Sequence, residues 1–227
     1  CDVQRETAIL LVEGQLRLSW ENTPSHARST QEILRPNCFD HAPSCLHVSL
    51  NTEVLLEAMD ACEVVLQQAT NGAKFSPQFY RPEDLKVQVF GEGEWCGTAV
   101  RSVCTIFDRD IAPYSQMVMG EVINHPGRWS SYPPHSHRQP EIYYYRFNYP
   151  QGFGSIHIGE EAYAIRDRSA ALITGGLDHP QTSAPGYAMY FCWMIRHLPG
   201  DPWRERQMNP DHNWLNRKGV AVWPDKP

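Results

Sequence analysis

The sequence lacks any apolar run that approaches the roughly 20 residues needed to cross a bilayer. It also lacks a basic segment followed by an apolar one at its start, so no leader peptide is indicated. Lysine and arginine do not gather into a stripe, and the 227 residues carry a net charge of -6, which makes nucleic acid a poor partner. These absences predict a cytoplasmic protein with neither a membrane nor a nucleic-acid partner.

Cysteine is present but shows no pairing pattern. The seven cysteines are odd in number, and no two of them form a C-x-x-C motif, which argues against a disulfide framework. We therefore expect buried thiols, as in a reducing compartment. The residues are Cys1, Cys38, Cys45, Cys62, Cys96, Cys104 and Cys192.

Long amphipathic helices are missing too, and short apolar runs between turn residues take their place. Arg5 to Trp20 alternates apolar and polar residues about Glu13-Gly14, which predicts a hairpin. Strands at spacings of about eight to twelve residues are typical of a β-sandwich or barrel. Residues 69–86, with Asn71-Gly72 and two prolines, predict a linker between two barrels. Further strands are predicted at 86–90, 97–107, 116–123, 141–147, 154–158, 161–165, 170–173 and 187–194.

Four side chains of metal-ligand type lie at suggestive spacings. His135 and His137 share a face if they lie in an extended strand, and Glu141 follows closely enough to return beside them. His179, after Gly175-Gly176, is predicted to add a fourth donor from a neighbouring strand. Clustered histidine and carboxylate select first-row divalent metals, so the spacing predicts a metal site. The alternative is a half-exposed histidine pair that binds nothing.

The same stretch carries a family resemblance. His135-x-His137-x(3)-Glu141 followed by Gly176-x-x-His179 matches the two-part pattern of the cupin superfamily. Longer motifs surround it, and with them about half of the chain resembles the 5-deoxy-glucuronate isomerase family of bacterial inositol catabolism. This bicupin family includes the related 4-deoxy-5-keto-uronate isomerases. The motifs are W-S-S-Y-P-P-H-S-H at 129–137, E-I-Y-Y-Y-R-F at 141–147, Q-G-F at 151–153 and N-P-D-H-N-W at 209–214.

The resemblance implies an all-β bicupin, with two β-barrel or jelly-roll cupin domains in one chain. Residues 1–75 are then a degenerate N-terminal cupin. Residues 76–227 are a metal-binding C-terminal cupin whose tail, rich in proline and tryptophan, wraps the outside. We also expect a homo-oligomer, which is common among soluble enzymes.

The implied activity is that of an intramolecular oxidoreductase, an aldose-ketose isomerase. The resemblance implies conversion of 5-deoxy-glucuronate to 2-deoxy-5-keto-gluconate in myo-inositol catabolism, so the expected partner is a small acidic sugar. His135, His137, Glu141 and His179 are the expected ligands of a divalent metal, which is Zn, Mn, Fe or Ni. Such a metal acts as a Lewis acid on a 2-hydroxy-aldehyde and stabilises the developing enediolate.

The proton carrier is predicted among side chains near these ligands. Glu141, Tyr143 and Tyr145 share the inward face of a regular strand, and each is a catalytic candidate. His157 lies in a strand predicted to face the same cavity and is the fourth candidate. The alternative is that both tyrosines simply fill the barrel and hydrogen-bond at their tips.

Substrate contacts are predicted from charge and from the family motif. The carboxylate of an acidic sugar calls for arginine, and Arg146 is the candidate, with Arg166, Arg196 or an arginine of another subunit as alternatives. Gln151 and Phe153 lie in the Q-G-F motif and are expected to line the pocket.

Other functions fit the same ligand set. A 4-deoxy-5-keto-uronate isomerase uses a related sugar. A cupin dioxygenase also holds iron with three histidines and a glutamate, but it requires oxygen whereas an isomerase does not. A non-catalytic sugar-binding cupin, in which the metal is structural or lost, is the third alternative.

Overall fold

The computed structural model describes residues 4–22, 25 and 27–224, and the fold is mostly β. Two compact units are present. The first comprises the chain up to Lys86 together with Ile106–Val118, and the second comprises Val87–Thr105 and the chain from Met119 onwards. Within the described ranges, no helix has the length and apolar character required to cross a membrane.

The first unit is built around one long strand. β1 pairs with four other strands, and β6 joins the assembly through β3. Its apolar side chains, among them Ile9, Leu11, Leu18 and Leu46, form a buried core. The strands are β1 (Arg5–Glu21), β2 (Arg28–Arg35), β3 (Cys45–Val48), β4 (Val54–Ala58), β5 (Glu63–Thr70) and β6 (Gln78–Tyr80).

The hairpin predicted about Glu13-Gly14 is wrong, because β1 continues through it as a single strand. Residues up to Glu13 pair with β3 and β5, with a bulge between Leu11 and Glu13, whereas residues from Gly14 onwards pair with β2 and β4. Gly14 has a φ of 105°, and a Cβ there would overlap the carbonyl oxygen of Ala61. The glycine therefore bends the strand from one set of partners to the other instead of reversing it.

Part of the predicted linker at residues 69–86 also belongs to a sheet. β5 extends to Thr70, and β6 pairs with β3 in antiparallel register. A short 3₁₀ turn, Pro82–Asp84, precedes the next strand. These residues form structure because β3 offers an open edge with which they can pair.

The second unit contains two larger sheets and a short pair of strands. The six-stranded sheet has the order β15-β12-β17-β9-β8-β7, the four-stranded sheet has the order β10-β16-β13-β14, and β11 pairs with β18. The strands are β7 (Val87–Phe90), β8 (Arg101–Phe107), β9 (Met117–Asn124), β10 (Trp129–Ser130), β11 (His135–Ser136), β12 (Glu141–Phe147), β13 (Phe153–Ile158), β14 (Glu161–Arg166), β15 (Ala170–Ile173), β16 (Gln181–Ser183), β17 (Met189–Arg196) and β18 (Gln207–Met208). Short 3₁₀ helices lie at Trp95–Gly97 and Pro210–Asn216.

The core of the second unit lies between its two larger sheets. Tyr143, Tyr145 and Phe191 come from one sheet, and Ile156 and Ile165 come from the other. From Glu141 to Tyr145 the buried residues of β12 alternate as the sequence predicts, because successive side chains of a strand point to opposite faces, whereas Arg146 is buried on the other face. This alternation turns the first residue of β12, Glu141, toward the interior.

The six cysteines of the described residues carry thiols and form no disulfide, as predicted, and Cys1 lies outside the described residues. Cys38, Cys45, Cys104 and Cys192 are buried as expected. Cys96 is exposed, which differs from the prediction. It belongs to a tight 3₁₀ turn at the surface, where it has a φ of 56°.

Candidate metal centre

The four predicted ligands come together on one wall of the second unit. His135 lies in β11, His137 follows that strand, Glu141 begins β12 and His179 precedes β16. All four side chains are buried and line one cavity of about 250 Å³. A cavity of this size suits a small molecule.

Three of the four side chains are tightly clustered. The Nε2 atom of His137 lies 3.1 Å from Oε2 of Glu141, and the Nε2 atom of His179 lies 3.4 Å from the same oxygen. The ligand atoms of these three residues lie within 4.8 Å of one another. The ring of His135 stands edge-on to that of His179, with 5.3 Å between their centroids. One ion can therefore be approached from several sides by nitrogen and oxygen donors.

Backbone carbonyl groups orient all three imidazoles in the same way. Each Nδ1 atom lies 2.9 Å from a carbonyl oxygen two residues away in sequence, so it is the nitrogen that carries the proton. The Nε2 atom of each neutral ring is then left with its lone pair, and this arrangement is the usual one for histidines that bind metals. The acceptors are the carbonyl groups of Pro133, Gln139 and Leu177.

Burial keeps the imidazoles of His135 and His179 neutral. Burial, with the nearby His179 and Arg206, lowers the pKa of His135 to about 3. Burial also lowers the pKa of His179, although the charge of Glu141 opposes the shift. Neutral imidazole is the form that binds a metal, so no proton has to be displaced from these rings at neutral pH.

A glycine brings the last ligand close to the others. Gly175 has a φ of 99°, and a Cβ there would overlap the carbonyl oxygen of Arg138 and lie 2.9 Å from its carbonyl carbon. The next residue, Gly176, donates its backbone N–H to the carbonyl oxygen of His137 at 2.6 Å. The loop that carries His179 can therefore lie directly against the segment that carries His137.

Tyr143, like Glu141, is a catalytic candidate whose side chain reaches the cavity. Its hydroxyl lies 3.3 Å from the Oγ atom of Ser131. Burial, followed by the negative charge of Glu141, raises its pKa well above the ordinary value, so the phenol is protonated at neutral pH. Tyr145 is buried behind it, where its hydroxyl donates to Oε1 of Gln181 at 2.7 Å. Tyr145 does not line the cavity.

His157 is placed away from the cavity, which corrects the expectation that it faces the metal site. In β13 the neighbouring Ile156 turns into the core, so His157 points to the other side of the sheet. Its ring lies 5.9 Å from that of Trp129, and both line a separate aromatic depression.

The predicted substrate contacts are also placed elsewhere. Arg146 lies on the face of β12 opposite to Glu141 and forms an ion pair with Asp167, with 2.9 Å between Nε and Oδ1. Gln151 is exposed in a turn, and Phe153 is 47% exposed beneath the guanidinium of Arg166. The two alternatives, Arg166 and Arg196, do not line the cavity. Strand alternation directs Arg146 away from the site, and the chain places the side chains of Gln151 and Phe153 at the surface.

Several cavity residues are absent from the sequence-based predictions. Arg101 shares a face of β8 with Val103 and Thr105, so alternation in that strand is a signal that could have found it. Trp203 and Arg206 come from the tail, which was expected to wrap the outside. No local pattern marks them, because their position depends on the pairing of β18 with β11.

The fold and the buried cluster of histidine and glutamate define a cupin-like β protein. The model of the KduI/IolB family matches residues 2–215, and the chain belongs to this family. The 5-deoxy-glucuronate isomerase of Geobacillus kaustophilus is 26% identical over 96% of this chain and 80% of its own length. Matches of this kind indicate an isomerase enzyme.

Solved structures support the fold. An IolB-like protein from Salmonella typhimurium LT2 superposes with a TM-score of 0.84 at 23% identity, covering 96% of this chain and 84% of that chain. The oxalate decarboxylase of Lactobacillus farciminis superposes with a TM-score of 0.65 at 11% identity, covering 97% of this chain and 79% of its own. At these identities the likeness concerns the fold alone.

Proposed function

We propose that the protein is a metal-dependent aldose-ketose isomerase that converts 5-deoxy-glucuronate to 2-deoxy-5-keto-gluconate. The main support is the orientation of three buried imidazoles, whose Nδ1 atoms bind backbone carbonyl groups and whose Nε2 atoms remain for a ligand. The relatives named 5-deoxy-glucuronate isomerase support the choice of substrate. We further propose that the two units are cupin domains and that the protein is a cytoplasmic homo-oligomer.

The donor set fits a divalent metal. His135, His137, Glu141 and His179 are the residues that would hold it, and Zn, Mn, Fe and Ni all accept imidazole and carboxylate ligands. When bound, such an ion acts as a Lewis acid toward the carbonyl and hydroxyl oxygens of a 2-hydroxy-aldehyde.

Tyr143 is the proposed proton donor. Its Oη atom is held by Ser131 within the cavity, and its raised pKa keeps the proton on the phenol at neutral pH. A neutral phenol can donate a hydrogen bond to a substrate oxygen as negative charge develops there. Ser131 is partly buried and orients the hydroxyl, so the donor needs little rearrangement during reaction.

Aromatic side chains form part of the cavity wall. Phe191 and Trp193 lie on β17, and Trp203 packs 6.0 Å from Trp193 and 6.2 Å from His137 between ring centroids. These walls exclude water from the reacting end of the substrate. In the less polar surroundings, charge interactions with Glu141 and the imidazoles become stronger.

The proposal is tested by incubating metal-loaded protein anaerobically with 5-deoxy-glucuronate in heavy water and following the product by proton NMR. Appearance of 2-deoxy-5-keto-gluconate is the expected result, and deuterium in the product identifies proton transfer that exchanges with solvent. Protein stripped with a chelator is the matched control and is expected to be inactive. Equal turnover without metal, or oxygen uptake instead of isomerisation on admitting air, would contradict the proposal.

A further inference from the structure

The cavity contains two guanidinium groups to which the proposed mechanism assigns no role. Among the described residues, Arg101 and Arg206 are the two arginines that line the cavity, and no lysine lines it. Throughout the part of the chain that the structure describes, neither forms an ion pair. Two positive charges that belong to no ion pair therefore face the space in front of the proposed metal ligands.

Arg101 is fixed by neutral partners. It stands opposite Phe90 in the β7-β8 ladder, with its guanidinium carbon 5.6 Å from the ring centroid. Its Nη1 atom donates to the carbonyl oxygen of Ala99 at 2.8 Å, and its Nη2 atom donates to that of Tyr132 at 3.3 Å. These contacts hold the planar group in place, and its remaining N–H groups can donate to an anion.

Arg206 is brought to the cavity by backbone pairing. β18 follows it directly and pairs with β11, so that Met208 lies opposite His135 and Gln207 lies opposite Ser136. The next position in this register places Arg206 alongside His137. The side chain is exposed, but its backbone is held beside the segment that carries two metal ligands.

The charges of the two arginines act on one another. Burial, with the positive charge of Arg206, lowers the pKa of Arg101 to about 10, and the negative charge of Glu94 opposes this only in part. The value stays well above neutral pH, so Arg101 remains charged. Glu94 lies in the outer depression next to the cavity and not among the residues that line the cavity itself. An anion between the two guanidinium groups would relieve their repulsion.

We propose that Arg101 and Arg206 form a carboxylate-binding subsite. Arg101 supplies a fixed guanidinium fork, and Arg206 contributes a second charge from the tail. An acidic sugar then spans the cavity, with its carboxylate at the arginines and its carbonyl end at His135, His137, Glu141 and His179. This assignment rests on the proposed function, which supplies a substrate with one carboxylate.

The first test compares an acid with its neutral analogue. Kinetics of Arg206→Gln are measured with 5-deoxy-glucuronate and with 5-deoxy-glucose, in which a hydroxymethyl group replaces the carboxylate. The ratio of kcat/KM for the acid to that for the neutral sugar is expected to fall about tenfold to hundredfold, mainly through KM. Arg206→Lys keeps the charge and is expected to recover part of the ratio.

Arg217→Gln is the matched control, because Arg217 is an exposed arginine of the same tail and lies outside the cavity. Its ratio is expected to equal that of the unmodified protein. Equal ratios in Arg206→Gln and Arg217→Gln would overturn the subsite while leaving the isomerase intact. Arg101→Lys keeps a charge but loses the planar fork, and it is expected to lower the ratio as well, with thermal unfolding used to verify that it folds.

A binding measurement separates the subsite from catalysis. Metal-loaded protein is titrated calorimetrically with methyl glucuronoside, whose locked ring cannot isomerise, and with neutral methyl glucoside. The acid is expected to bind more tightly, and Arg206→Gln is expected to remove about tenfold or more of that preference. This result supports the subsite even if no isomerase product ever forms. Equal binding of both glycosides by the unmodified protein would refute it.

Discussion

Replacing Gly175 with alanine tests whether close contact between two loops builds the metal site. The residue has a φ of 99°, and an added Cβ would overlap the carbonyl oxygen of Arg138 and lie 2.9 Å from its carbonyl carbon. Gly176→Ala is the matched control. Gly176 also has a positive φ, 75°, but a Cβ there meets nothing within 4 Å. The two variants share the backbone strain, and Gly175→Ala alone adds the collision.

The magnitudes follow from these two effects. A left-handed backbone costs about 1–2 kcal/mol for an alanine, so Gly176→Ala is expected to lose about that much stability. Ordinary carbon contacts lie near 3.5–4.0 Å, so relieving the collision at Gly175 requires a shift on the order of 1 Å. Forced displacement in packed structure costs about 1–3 kcal/mol more. Gly175→Ala is therefore expected to lose about 2–5 kcal/mol in total.

The shift also acts on the metal ligands, since His179 follows Gly175 by four residues and His137 precedes Arg138. Thermal unfolding of the metal-free variants measures the loss of stability, and metal content after dialysis against a fixed free metal concentration measures the site. Gly175→Ala is expected to have the lower Tm and the lower metal content. If both variants unfold at one temperature and retain equal metal, the loop contact does not build the site and the reasoning fails.

Three further predictions concern the site itself. His137→Ala is expected to lose bound metal and activity together, whereas His157→Ala, a control outside the cavity, is expected to retain the metal. Elemental analysis measures the metal content of both variants. A His137→Ala variant that is active without metal would contradict the assignment. Tyr143→Phe is expected to lower kcat about a hundredfold or more with metal content unchanged. Tyr145→Phe is the control, because its hydroxyl forms a hydrogen bond inside the core, and it is expected to lose about 1 kcal/mol of stability. Equal turnover of Tyr143→Phe and the unmodified protein would show that Tyr143 has only a packing role. Burial lowers the pKa of His135 to about 3. As the pH falls below about 6.5, His135 of the unfolded chain therefore binds a proton that His135 of the folded protein does not bind. The stability of the metal-free protein should be highest above that pH and fall as the pH drops toward 3. Denaturant unfolding across this range measures the effect, and a flat profile would refute it.

Local sequence patterns predicted the elements that carry the chemistry. Glu141 to Phe147 and Ala170 to Ile173 form strands with the predicted bounds, and the alternation along β12 turns Glu141, Tyr143 and Tyr145 inward as expected. The spacing of His135, His137, Glu141 and His179 anticipated that they would meet. These successes share a physical reason, since strand alternation and short turns depend on neighbours in sequence.

Other features depended on partners distant in sequence. Alternation about Gly14 fits a hairpin and a bent strand equally well, and only the pairing of β1 with four different strands decided between them. An arginine near the site in sequence, Arg146, faces away, whereas Arg101 and Arg206 reach the cavity through β8 and through the β11-β18 pair. The sequence by itself determined the types and the spacing of the candidate metal ligands and the β character of the chain. The tertiary structure decided which charged side chains share the cavity, because that depends on non-local strand pairing, which local periodicity does not encode.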